Sequence, residues 1–276
     1  DPNANVVLIE PDGRRLISED QVIQAMDGSV HTVFLSQVAY HTGQLLDVRR
    51  IAAAARSRGI LIGLDCSHSI GVMPHRLRDV DFAVWCSYKY LCGGPGAAAG
   101  LFLNRRHAGA APGLPGWFGL AKDRQFDMSA IFQPAGGAAG LQIGTPNVLS
   151  MAPLAGALNL LEEAGIDAVR EKSLAQTGYM IELSDLFAEE MELITPREPE
   201  RRGSHISLTH PEAVRICGAL KAVGVIPDYR PPDIVRLAAS PLYTSFTDCF
   251  EAMVRLRAIL DEGTYRSFPA ERHAVP

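Results

Sequence analysis

The stretch from Thr32 to Asp65 most constrains what this chain can fold into. "TVFLS" (32–36) is β-branched and apolar. "DVRRIAAAARSRG" (47–59) opens on Asp, carries an apolar stripe through Val48, Ile51, Ala52 and Ala55, and closes on Gly; "ILIGLD" (60–65) is apolar again. A periodicity that passes from strand to helix and back is a βαβ unit. "VDFAVWCS" (80–87) and "AAAGLFLN" (97–104) add two further strands. The first half is therefore predicted to be α/β, a mainly parallel sheet with flanking helices. Such sheets bind ligands at the carboxyl ends of their strands.

From Ser150 the pattern is helical through "MAPLAGALNLLEEAG" and "AVREKSLAQTGYMIELSDLFAEE". It then alternates strand and helix through "MELITP", "SHISLTH", "PEAVRICGALKAVG", "DIVRLAA" and "SFTDCFEAMVRLRAILDEG". With 276 residues the chain has room for two cores. Residues 1–155 are expected to belong to a large domain and 156–276 to a smaller α+β domain. Residues 105 to 147 are rich in Gly and Pro and lack periodicity, and so long a loop is functional or interfacial.

Composition excludes several classes. A net charge of -5 without a basic cluster argues against a nucleic-acid surface. No apolar run is long enough to span a bilayer, so no membrane partner is expected. Five cysteines without a CxxC pair imply reduced thiols and a cytoplasmic location. The chain opens "DPNANVVLIEPDG" without methionine and reads as the continuation of something longer.

The polar residues at the strand ends carry the chemistry. Asp65 ends "ILIGLD", His68 follows in "DCSHSIG", and Lys89 lies 24 residues beyond Asp65 in "VWCSYKYLCGGPGAAAGLF". Taken singly, Asp65 reads as a turn former and Lys89 as a solvated charge. The DxxH pair has no third ligand nearby, so no metal is assigned. Together, an acid and a lysine at the ends of successive strands suit pyridoxal phosphate (PLP), which needs a lysine for its Schiff base and a carboxylate for its pyridine nitrogen. The glycines after Lys89 let backbone turn sharply and approach closely.

The motifs "DCSHSIG", "WCSYKYL", "GWFG", "RQFDM", "QIGTPNVL", "TGYM" and "IVRLAASPLYTSF" stand in an order that closely resembles kynureninases. These are fold-type I, class V aminotransferase-like PLP enzymes, and the likeness runs from about residue 30 onward. It implies that Lys89 is the Schiff-base lysine, Asp65 the partner of the pyridine nitrogen and His68 a neighbouring cofactor contact. Tyr88 would bind the cofactor phosphate and relay protons. Ser36 would touch the cofactor; without the likeness it is a serine that caps a turn. Trp117 and Thr145 match positions that reach into the partner subunit's site, which implies a homodimer with shared active sites. Thr145 also matches a position near the aromatic end of the substrate. Arg236, otherwise an ordinary strand-edge charge, matches the arginine that grips the substrate α-carboxylate, a task suited to a two-pronged donor. The implied reaction is hydrolysis of L-kynurenine, or its 3-hydroxy form, to anthranilate or 3-hydroxyanthranilate and L-alanine.

Some positions depart from the kynureninase pattern. Cys92 stands where asparagine is usual, Leu120 where histidine is common and Thr244 where asparagine often stands. The phosphate-binding turn, ring-stacking aromatic and further aspartate of the family's N-terminal portion are not found in this chain. Two other readings stay open: another class V enzyme such as a cysteine desulfurase, and a non-catalytic remnant. The first needs a mobile loop cysteine, whereas Cys249 is placed at a helix start.

Overall fold

Asp47 begins the first long helix for a local reason: its carboxylate accepts the Arg50 N–H at 3.1 Å, satisfying a donor that the helix start leaves open. The structure, a computed structural model, describes residues 4–271. The elements up to residue 164 are α1 (Glu19–Gln24), β1 (Thr32–Ser36), α2 (Val48–Ser57), β2 (Leu61–Asp65), β3 (Phe82–Trp85), β4 (Gly100–Leu103) and α3 (Val148–Ala164). Helix α2 buries Ile51, Ala52 and Ala55 of the stripe its spacing predicts, while Val48 in its first turn is half-buried. Gly59 closes the turn after it with φ +69°, a left-handed conformation that suits glycine.

These elements form one compact unit, Glu19–Gln37 with Asp47–Glu163. Its sheet runs β1-β2-β3-β4, the first three strands parallel and β4 antiparallel to β3. No helix lies between β3 and β4, so the chain has no crossover with which to return parallel. Two glycines key the strands together. Gly63 stands opposite Phe82 and Gly100 opposite Trp85. A Cβ added at Gly63 would lie 2.2 Å from the Phe82 ring, and one at Gly100 2.1 Å from the Trp85 ring. Each ring thus rests where only a glycine backbone leaves room.

The remaining elements are α4 (Ile166–Phe187), β5 (Glu192–Leu193), β6 (Ile206–Thr209), α5 (Ala213–Ala222), β7 (Asp228–Arg230), β8 (Ile234–Leu237) and α6 (Phe246–Glu262). They form a second unit, which also takes in the segment ending at Ser18 and Val38–Leu46. Its sheet is antiparallel, in the order β5-β6-β8-β7. Strands β6 and β8 are buried throughout, and Ile206, Leu208, Ile216, Leu220, Met253 and Leu256 make its core. Ser245 and Asp248 form a capping box that starts α6, and Gly263 ends it in a left-handed turn. The early segments are tied in by hydrogen bonds. Arg15 grips Asp233 with two bonds of 2.5 and 2.8 Å, the Gln44 amide bonds both backbone groups of Ile17, and Thr195 Oγ1 donates to the Thr42 carbonyl at 2.6 Å. Among the described residues no helix is long and apolar enough to cross a membrane.

A buried carboxylate holds the amino end of β2. Asp81 accepts the Ile62 N–H at 2.8 Å, Arg106 Nε at 2.8 Å and His107 Nε2 at 2.5 Å, with its side chain only 9% exposed. Burial by itself pushes the Asp81 carboxyl up, but the bonds from Arg106, His107 and Ile62 outweigh it and hold the group at about 2. The depressed value means that the stabilisation is present above the ordinary carboxylate range and is lost as pH falls toward 2. Asp81→Asn should lower the unfolding free energy at pH 7 by about 2 kcal/mol. Urea melts from pH 7 down to 2 should show the difference between wild type and variant shrinking as the pH drops.

Candidate active site

Three strands of the first unit deliver polar groups to one sheet end. Ser36 ends β1, Asp65 ends β2, and the two are directly paired; Asp65 is in turn paired with Val84 near the end of β3. The ladder continues beyond the strands, since the Gln37 N–H donates to the Asp65 carbonyl at 3.0 Å and the Cys66 N–H to the Val84 carbonyl at 2.8 Å. The Asp65 carboxylate accepts the Ser67 N–H at 2.8 Å, an Asx turn that fixes its direction. Beneath the turn, buried Ser69 bonds Gln37 Oε1 at 3.0 Å and His75 Nε2 at 2.9 Å, tying the ends of β1 and β2 together. Burial pushes the His75 imidazole below its ordinary value.

The turn after β3 brings the lysine back over this end. Lys89 Nζ lies 2.9 Å from His68 Nε2, and the imidazole tautomer decides which of them donates. The Lys89 nitrogen sits 5.9 Å from the centre of the Tyr88 ring. Tyr88 is exposed, and its phenol is pushed up, first by the neighbouring Cys86 and its hydrogen bond, then by desolvation and by Asp65; at neutral pH it keeps its proton. Ser36, Asp65, His68, Tyr88 and Lys89 thus gather at one place. The Gly-rich stretch has a steric cause, because a Cβ at Gly93 would meet the Ser87 carbonyl at 2.9 Å. Cys92 takes φ +55°, the left-handed region that asparagine tolerates better than most residues.

Trp117 and Thr145 lie elsewhere, on the long loop of the same unit, and both are exposed. Trp117 packs edge-to-face on Phe126, centroids 5.4 Å apart, and with Leu120 and Met128 lines a cavity of about 350 Å³. Gly116 and Gly119 let this turn press on the backbone of 140–143. Arg236 is in the second unit, on β8. Its Nη1 donates to the Tyr40 carbonyl at 2.9 Å, and its Nη2 pairs with Asp228, which also receives Arg230 at 2.6 Å. Asp228 and Arg230 escaped the sequence reading because β7, "DYR", is short and has no apolar alternation. Thr244 Oγ1 accepts the Ser240 N–H at 3.1 Å. Cys249 is buried on α6, where burial pushes its thiol up.

Comparison with known proteins points to kynureninases. Residues 169–256 match the sequence model of the Kynureninase C-terminal domain. The whole chain aligns with kynureninases of Geobacillus thermodenitrificans and Bacillus cereus, at 46% and 47% identity. Over its whole length the chain resembles these kynureninases. It spans 65% of the length of those curated relatives. Among solved structures, a cysteine desulfurase from Escherichia coli matches with a TM-score of 0.77 at 19% identity, over 93% of this chain and 66% of that one. A C-DES variant with glycine covalently linked to its PLP cofactor matches with 0.75 at 18%, over 88% and 64%. At such identities these neighbours establish the fold, fold-type I, and no more.

Cys92 offers a check on this geometry. The resemblance to kynureninases leads one to expect asparagine at its position, and the observed φ suits that residue. Cys92→Asn should raise the unfolding free energy by about 0.5 kcal/mol, read from the denaturant midpoint at unchanged slope.

Proposed function

We propose that this chain carries the catalytic lysine of a PLP-dependent kynureninase, hydrolysing L-kynurenine or 3-hydroxykynurenine to anthranilate or 3-hydroxyanthranilate and L-alanine. The observation that supports this most is the meeting of Lys89 with His68 at 2.9 Å, beside an Asp65 carboxylate fixed at the end of the preceding strand. These residues fit the cofactor: an amine for its aldehyde, an oriented carboxylate for its ring nitrogen, and glycines a few residues beyond the lysine that let the backbone turn closely. When bound, PLP supplies an electron-withdrawing ring that takes up charge as bonds to the amino acid break.

The protein's own groups then have distinct tasks. His68 shares a proton with the Lys89 amine across their short contact. Asp65 keeps the ring nitrogen protonated, and the Ser67 N–H holds the carboxylate in line for that bond. Tyr88, which keeps its phenolic proton, donates toward the cofactor phosphate and serves as acid or base at the substrate γ-carbonyl when water adds there. Ser36 contacts the cofactor from the end of β1. Arg236 grips the substrate α-carboxylate. Cys249 is no candidate for sulfur transfer, since it is buried inside a helix with its thiol pushed up.

The active form is proposed to be a homodimer in which Trp117 and Thr145 reach the partner's site. Support comes from α3, whose sequence "VLSMAPLAGALNLLEEA" is largely apolar although none of its residues is buried. Leu149, Leu160, Phe126, Met128 and Ile131 are all exposed in the same unit. An apolar helix left this uncovered is a surface that seeks a copy. Five free thiols suit the cytoplasm, the compartment proposed.

Lys89→Ala should abolish the PLP adduct that borohydride fixes on the Lys89 peptide of the wild type. Anthranilate release from kynurenine should fall by roughly a thousand-fold. An adduct that maps to another lysine would end the assignment. Sedimentation velocity should find the wild type dimeric and Leu149→Glu/Leu160→Glu shifted toward monomer.

A further inference from the structure

Arg236 is clamped within its own unit before any ligand arrives. Its guanidinium side chain is 8% exposed; one terminal nitrogen donates to the Tyr40 carbonyl and the other pairs with Oδ2 of Asp228. Arg230 Nη2 donates to the same oxygen at 2.6 Å. The arrangement is built into the sheet, because Asp228 and Arg236 are paired across β7 and β8. Arg230, two residues along β7, points to the same face as Asp228. Two guanidiniums thus share one Asp228 oxygen.

Other charges lie near them, and Glu192 is among those that act on Arg15. Arg15 is matched by Asp233 through two hydrogen bonds. His41, whose ring centre lies 3.9 Å from that of Tyr40, is pushed below its ordinary value by burial and then by Arg230, Arg236 and Arg15, so it is neutral at pH 7. Two arginines held side by side by one carboxylate make a seat suited to an anion. Arginine ordinarily loses rotamer freedom when it captures a carboxylate, and a partner that fixes it beforehand removes that cost.

We propose that Asp228 is a positioning residue that presets Arg236 and draws Arg230 beside it, so that the two arginines together receive a single carboxylate of the kind an amino-acid substrate carries. The inference rests on the reading of Arg236 as the α-carboxylate grip and adds Arg230 and Asp228 to it. The competing idea, that Asp228 merely occupies the place of the ligand, makes the opposite forecast for its removal.

The test is calorimetric titration with 3-benzoylpropanoate, an aryl ketone with one carboxylate and no amine, against its uncharged amide. The wild type should prefer the acid over the amide. Asp228→Asn and Arg230→Gln should each weaken the acid by about ten-fold and leave the amide unchanged. Asp228→Glu should recover most of the loss. In turnover the Asp228→Asn effect should fall on KM, with kcat nearly unchanged. If Asp228→Asn binds the acid as tightly as the wild type or more so, while Arg236→Gln weakens it, the inference fails and the Arg236 reading stands. If Arg236→Gln leaves acid binding unchanged, that reading fails and takes the inference with it. Should Asp228→Asn melt before the titration temperature, Arg230→Gln decides by the same comparison.

Discussion

The parallel register of β1, β2 and β3 is the constraint on which the rest of the first unit depends. Side chains alternate across a sheet, so a slip of one residue would turn Asp65 to the opposite face and part it from Ser36 and from the Lys89 turn. Hydrogen bonds of a parallel ladder are evenly spaced and do little by themselves to choose among registers. Here the choice is made by features away from the chemistry. Asp81 seizes the Ile62 N–H at the amino end of β2, and the Gly63–Phe82 and Gly100–Trp85 pairs admit their rings in one alignment only. The clamp at one end of the sheet thereby sets what meets at the other.

The two units handle charge in opposite ways. At the sheet end the groups are few and individually held: one carboxylate oriented by a backbone N–H, one amine against one imidazole. In the second unit the charges are shared, with Arg230 and Arg236 on one oxygen and Arg15 doubly bonded to Asp233. Shared charges resist movement and suit recognition.

Sequence made the local chemistry legible and the long-range pairing not. Asp65, His68 and Lys89 could be placed together from sequence because strand ends of a parallel sheet point one way and because the motifs around them resemble those of kynureninases. Helix α2 and its caps followed from Asp47, the Ile51–Ala55 stripe and Gly59. By contrast, nothing local marks Val38–Leu46 as part of the unit that contains β6. Its place is set by the Thr195 bond to the Thr42 carbonyl and by the Gly203 N–H bond to the Gly43 carbonyl, partners far away in sequence. Strand β7 was unreadable for a related reason. Asp228 and Arg230 are polar, and they form a strand because β8 lies alongside to pair with them.

Helix α3 shows a different kind of gap. Its apolar residues go round the helix without a preferred side, a pattern that belongs to a helix enclosed by protein. Yet in the isolated chain none of its residues is buried. A sequence optimised for burial and a structure that provides none are reconciled if the covering surface lies outside the single chain. The adjoining loop tells the same story, for Phe126, Met128 and Ile131 are exposed beside a cavity lined by Trp117. Scattered apolar side chains on a surface need no explanation, but a helix and a loop that expose them together in one unit do. The long loop, which in sequence reads as functional or interfacial, is stitched within itself by bonds such as Ala121 N–H to the Gln133 carbonyl and Ala135 N–H to the Gly119 carbonyl, and still leaves these apolar side chains uncovered.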